Sequence, residues 1–179
     1  MNIVSKSAVL GLIAALFSLP AKADNIYRPY VGMSYAYTAA TAHNFHPHNN
    51  SVLFNLGSTY NPYFSTELFY QYSGKDELSS QGKTKNTSFN AYGLDVVSYL
   101  PWKGIAPLAT MGIGEYGIKN KLYQGHHSDK GLGYRFGAGL QYNFANGFAT
   151  RLTARYIKTD KLKNYNHLSE YLVSVFYTF

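Results

Sequence analysis

Three sets of side chains have the types and spacing to do chemistry. His126 and Ser128 stand two residues apart, and a hydrolase needs a base beside its serine and an acid to orient that base. Asp129 is too close in sequence to orient His126, and all three fall in a polar tract read as a loop, so hydrolysis is not favoured. His43, His46 and His48 share one polar tract and His126 and His127 another. Such tracts can take zinc or copper, but no ordered ligand spacing appears and no metal is expected. The third set is Glu67, Asp95, Arg135, Arg151, Arg155 and Glu170, three acids and three arginines, each set inside an alternating segment. No phosphate loop, dinucleotide fingerprint or paired-carboxylate motif is present, so no cofactor is expected. No fold signal for nucleic-acid binding appears either.

The third set must be held by strands. The closing segment shows the pattern most clearly: Tyr171, Val173, Val175, Tyr177 and Phe179 form an unbroken apolar row, while Glu170, Leu172, Ser174, Phe176 and Thr178 form the other face. Period-two alternation over about 9–11 residues, with aromatics at both ends, fits the wall of a membrane-spanning barrel. Further strands are expected over 29–38, 52–59, 64–72, 88–100, 105–116, 132–144 and 148–158. Tight turns follow Asn61-Pro62, Pro101-Trp102-Lys103-Gly104 and Ala145-Asn146-Gly147, the last carrying the Asn-Gly hairpin signal. Polar stretches over 41–50, 73–87, 117–131 and 159–167 read as long loops. Short turns and long loops thus alternate, as they do between the periplasmic and outer ends of such barrels.

Two markers choose the inner face. The six strand charges all share the parity opposite the apolar row, and Gly32, Gly57, Gly93, Gly112, Gly114, Gly133, Gly137 and Gly139 share it too. Glycine makes room on the concave side of a small barrel. The apolar rows are almost free of charge, Glu115 excepted, and lipid disfavours Arg or Lys at mid-depth by ~2–4 kcal/mol. The fold expected is therefore all-β, an eight-stranded antiparallel up-and-down transmembrane β-barrel. Its interior is just wide enough for its own side chains, so the six charges must pair. Residue counts from the tight turns place Arg135, Arg155 and Glu170 in an upper group and Glu67, Asp95 and Arg151 in a lower one. The lower group would join Arg151 to Glu67 or Asp95, and the network would act as a static plug or as a gate for ions.

Targeting agrees with this placement. Lys6, the apolar run Ala8–Leu19 and the site Ala21-Lys22-Ala23 predict a signal peptide over 1–23, cleaved after Ala23, with the barrel over 24–179. No segment reaches the ~18 consecutive apolar residues of a spanning helix. The chain carries a formal net charge of +7 and no cysteine, so neither disulfides nor thiol chemistry supports it. Lys75, Lys83, Lys85, Lys119, Lys121, Lys130, Lys161 and Lys163 lie in the polar stretches. They offer contacts for lipopolysaccharide phosphates or other anionic surface ligands, or simply a solvated surface.

The opening Pro29-Tyr30-Val31-Gly32, the related Pro107-Leu108, Asn61-Pro62-Tyr63-Phe64 before Glu67, and the terminal Phe179 resemble the small eight-stranded outer-membrane barrels of the outer-membrane protein A and opacity-protein type. The resemblance covers residues 24 to 179 and does not extend to a peptidoglycan-binding domain, so wall anchoring is not carried over. It implies an outer-membrane location, contact with outer-membrane lipid and lipopolysaccharide, and recognition of the row Tyr171, Val173, Val175, Tyr177 and Phe179 by the barrel-assembly machinery. It implies a non-enzymatic role in envelope integrity or surface adhesion. A narrow ion or solute pore is the alternative. The His126-x-Ser128 spacing also resembles lipid A deacylase barrels, a less favoured third reading.

Overall fold

The computed structural model describes residues 27–41, 48–74, 76–80, 83–122, 125–159 and 167–179. The signal segment 1–23, His43, His46, Lys75, Lys161 and Lys163 lie outside the described residues. Nine strands run in chain order: β1 (Arg28–Thr41), β2 (His48–Asn61), β3 (Phe64–Ser73), β4 (Asp76–Ser80), β5 (Lys83–Tyr99), β6 (Ile105–Leu122), β7 (Gly125–Asn143), β8 (Phe148–Thr159) and β9 (His167–Thr178). β3 and β4 both pair with β5, so they form one stave of the wall. Every neighbouring pair is antiparallel, and the β1–β9 and β3–β5 pairings close the sheet into an eight-staved barrel.

Closure leaves no unpaired edge within the lipid-level wall, the condition a sheet must meet in hydrocarbon. Alternation then sorts the side chains. In β8, alternate residues are exposed and buried from Phe148 to Thr159. In β9, Tyr171, Val173, Val175 and Tyr177 are exposed while Glu170, Leu172, Ser174 and Phe176 are buried. Four strands carry an exposed aromatic at each end of the outward row, eight residues apart: Phe64 and Tyr72, Tyr134 and Tyr142, Phe148 and Tyr156, Tyr171 and Phe179. Eight residues at roughly 3.3 Å each, tilted about 40°, span about 20 Å of depth.

The strands differ from the sequence expectation above that depth. The stretches 73–87 and 117–131 are largely paired strand: β4 pairs β5 from Asp76↔Thr87 to Ser80↔Lys83, and β6 pairs β7 as far as Leu122↔Gly125. Ladder hydrogen bonds continue whatever the side chains are. Where both faces of a strand are wet, the period-two apolar signal disappears, and the composition reads as a loop.

At the other end the connections are short. Asn61 Oδ1 accepts from the Tyr63 and Phe64 amides at 2.8 and 2.9 Å, holding the β2–β3 turn. Between β5 and β6, Trp102 and Ile105 exchange backbone hydrogen bonds at 2.8 and 2.9 Å, with Lys103 at φ 44° and Gly104 at φ 86°. Positive φ at both central residues is what a two-residue type I′ hairpin requires. Lysine is poorly suited to that conformation and asparagine well suited. Lys103→Asn is therefore expected to stabilise the folded barrel by about 1 kcal/mol, read as a higher urea midpoint at unchanged slope in lipid vesicles.

Candidate functional site

The buried interior of the barrel holds all six strand charges. Glycines opposite them make the space. Gly93 and Gly114 admit the Phe69 ring, which a Cβ at either position would approach to 2.7 or 2.8 Å, and Gly112 leaves room for the Asp95 carboxylate.

The lower cluster is built on Arg151. Its Nη1 donates to Glu67 Oε1 at 2.6 Å, its Nη2 to the Tyr99 hydroxyl at 2.7 Å and its Nε to Gln141 Oε1 at 2.9 Å. The guanidinium lies 4.1 Å from the centre of the Phe176 ring, a cation–π distance. Glu67 also accepts from the Tyr30 hydroxyl at 2.8 Å and from Asn55 Nδ2 at 3.2 Å. Each guanidinium nitrogen of Arg151 and each carboxylate oxygen of Glu67 therefore has a partner.

The upper cluster is a chain across seven strands. Arg135 grips Asp95 in a two-pronged contact, Nε to Oδ1 at 2.5 Å and Nη2 to Oδ2, and its guanidinium lies 3.2 Å over the Phe69 ring. Arg155 stands between two acids, with Nη2 3.4 Å from Asp95 Oδ2 and Nη1 3.8 Å from Glu170 Oε2. Glu170 Oε1 accepts from Gln71 Nε2 at 2.5 Å and Thr38 Oγ1 at 3.3 Å, and Gln71 Nε2 also reaches Ser51 Oγ at 2.8 Å. The structure thus joins Arg151 to Glu67, one of the two partners expected, and places Asp95 with Arg135 and Arg155 in the upper cluster rather than in the lower group. Strands in a closed barrel are staggered against one another, so equal counts from a turn are not equal heights.

Apolar side chains pack beside and beyond these clusters. Ala36, Leu53 and Leu172 pack together on the β1, β2 and β9 side, whereas on β3 and β5 Glu67 and Asp95 stand directly opposite each other. Phe69, which lies against Arg135, packs with Phe89, Ala91, Tyr116, Ile157 and Leu168 toward the upper end, and Tyr30, Ala149 and Phe176 close the lower end. Each charge cluster balances internally, Arg151 against Glu67 below and two arginines against two carboxylates above. That arrangement can hold a shape without a counter-ion.

Sequence reasoning missed Tyr30, Tyr99, Gln71 and Asn55 as partners of the charges. Tyr30 shares its parity with Gly32 and Tyr99 with Asp95, and that parity is the signal that could have found them. Two other candidates sit elsewhere. His126, His127 and Ser128 lie on β7 itself, above the lipid-level wall, with Lys121, Asn120 and Lys119 as their cross-strand partners on β6. They were expected in a loop. His48 opens β2. The terminal row Tyr171, Val173, Val175, Tyr177 and Phe179 is exposed on the outside of the closing strand.

Comparison with known proteins agrees with this geometry. The chain superposes on the structure of Neisserial surface protein A with a TM-score of 0.72 at 13% identity, covering 84% of this chain and 97% of that one. It matches Ail, the attachment invasion locus protein of Yersinia pestis, solved with the heparin analogue sucrose octasulfate, with a TM-score of 0.64 at 14% identity over 86% and 99%. It matches the N-terminal β-barrel domain of Pseudomonas aeruginosa OprF with a TM-score of 0.60 at 16% identity over 86% and 99%. At such identities the likeness is one of fold. Comparison with curated protein sequences returns no match. The model of the outer membrane protein beta-barrel domain matches residues 9–179. The chain belongs to that family of outer-membrane barrels.

Proposed function

We propose that this protein is a non-enzymatic outer-membrane barrel with a plugged lumen, which contributes to envelope integrity or surface interaction through the end of the barrel that carries the extended strands. The observation that carries the reading is the filled interior: all six charges are buried, with Arg151 paired to Glu67 and Arg135 and Arg155 paired to Asp95. An ion would have to shed its water and break these pairs to pass. The six charges then serve as an internal brace. Residues 1–23 act as the cleaved signal, and the row ending at Phe179 is the segment offered to the barrel-assembly machinery. The extended strands present lysines to lipopolysaccharide and other anionic surface ligands, a reading supported by the sulfated ligand held by the fold-related Ail.

The pore reading is separated by planar-bilayer recording. The wild-type chain is expected to show no steady conductance, and Arg151→Ala is expected to stay closed because the buried cluster of Arg135, Asp95 and Arg155 remains. Steady current that changes with Arg151→Ala would overturn the plug.

A further inference from the structure

The outward rows bring three charged groups together just above the outer aromatic row. Lys130 on β7 is exposed, and its Nζ lies 3.1 Å from Oε1 of Glu115 on β6. Lys158 on β8 is exposed on the outward side, with Tyr134 as its cross-strand partner. Four residues of rise and one strand spacing put the Cα atoms of Lys130 and Lys158 about 14 Å apart. Two extended lysine side chains can close that gap onto one anionic headgroup.

The backbone register extends the same pattern. Above the Gly117↔Lys130 pair, Lys119 and Lys121 of β6 are the register partners of Ser128 and His126 of β7.

Directly beneath these cations the outward wall is apolar and exposed: Leu132, Tyr134, Phe136, Leu152 and Tyr156. A ligand that satisfies both levels needs acyl chains below and a negative charge above. A soluble polyanion offers only the second.

We propose that the outward face of β6, β7 and β8 is a docking site for a phosphate-bearing lipid of the outer leaflet, with Lys130 and Lys158 as its cationic contacts and Glu115 positioning Lys130. The site rests on the placement of the barrel in the outer membrane and not on whether the lumen is plugged, so it stands or falls apart from the conductance result. Glu115 neutralises part of the charge on Lys130 while holding its ammonium group at the wall. Removing that carboxylate raises the local positive charge, and removing the lysines abolishes it.

The test is native mass spectrometry of the whole refolded chain, extracted from vesicles of phosphatidylcholine containing a minor share of phosphatidic acid. The wild-type chain is expected to retain phosphatidic acid in preference to phosphatidylcholine. Lys130→Gln with Lys158→Gln is expected to lower that preference by roughly tenfold or more, the scale of two surface cations. Glu115→Gln is expected to raise it, and Lys103→Gln at the opposite end to leave it unchanged. Folding of each variant is checked by its heat-dependent shift on a gel, and the exposed positions make all of them compatible with the barrel. An unchanged preference in the double lysine variant overturns the site. Displacement of the lipid by inorganic phosphate at matched concentration would overturn the lipid as occupant.

Discussion

Asp95→Ala should destabilise the barrel by about 3–5 kcal/mol, the usual cost of removing one partner from a buried ion pair. Arg135 is fully buried and gives Asp95 two hydrogen bonds, and Arg155 has Asp95 as the nearer of its two acids. Without the carboxylate, two guanidinium groups share Glu170, while Glu67 on the neighbouring strand is already held by Arg151. Small domains are stable by about 5–15 kcal/mol in total, so the loss is a large part of the whole. The measurement is a urea titration of the chain in vesicles, with a gel-shift assay for the folded fraction. Asp95→Ala combined with Arg135→Met should recover much of the loss, because replacing both partners by apolar groups leaves no orphaned charge. A single variant within about 1 kcal/mol of wild type, below that range, would mean the upper cluster does not brace the barrel.

Val175→Arg should cost about 2–4 kcal/mol, and Tyr171→Arg on the same outward row only about 0–1 kcal/mol. Val175 pairs in register with Met33 and Thr150 at the middle of the lipid-facing wall, whereas Tyr171 stands in the outer aromatic row. The two variants share one face and one strand and differ only in depth. The same titration reads both. Equal losses at the two positions would show that depth in hydrocarbon is not what the outward row experiences.

The parts of this fold legible in the sequence are those where one face of a strand meets hydrocarbon and the other a crowded interior. β8 is the clearest case: Phe148, Leu152 and Tyr156 fall on one side and Arg151 and Arg155 on the other. Glycine parity carries the same information, since Gly93, Gly112 and Gly114 lie where Phe69 and Asp95 need space. The upper parts of β5, β6 and β7 were not legible, because backbone ladder pairing by itself requires no alternation of side chains. Asp95 was assigned to the lower group because stagger between strands is a property of the closed barrel and of no single strand. Tyr30 and Tyr99 were missed for a different reason: a tyrosine suits both a headgroup belt and a buried hydrogen bond, and only its parity tells them apart.

The eight-residue interval between paired aromatics has a consequence for where this protein is comfortable. An apolar belt of about 20 Å is shorter than the ~30 Å of average bilayer hydrocarbon. In a thick membrane the lipid must thin around the barrel, at a fraction of a kcal/mol per ångström of mismatch. Insertion should therefore be faster and more complete into short-chain lipids than long-chain ones, and the barrel will collect the thinnest patches of any membrane it enters.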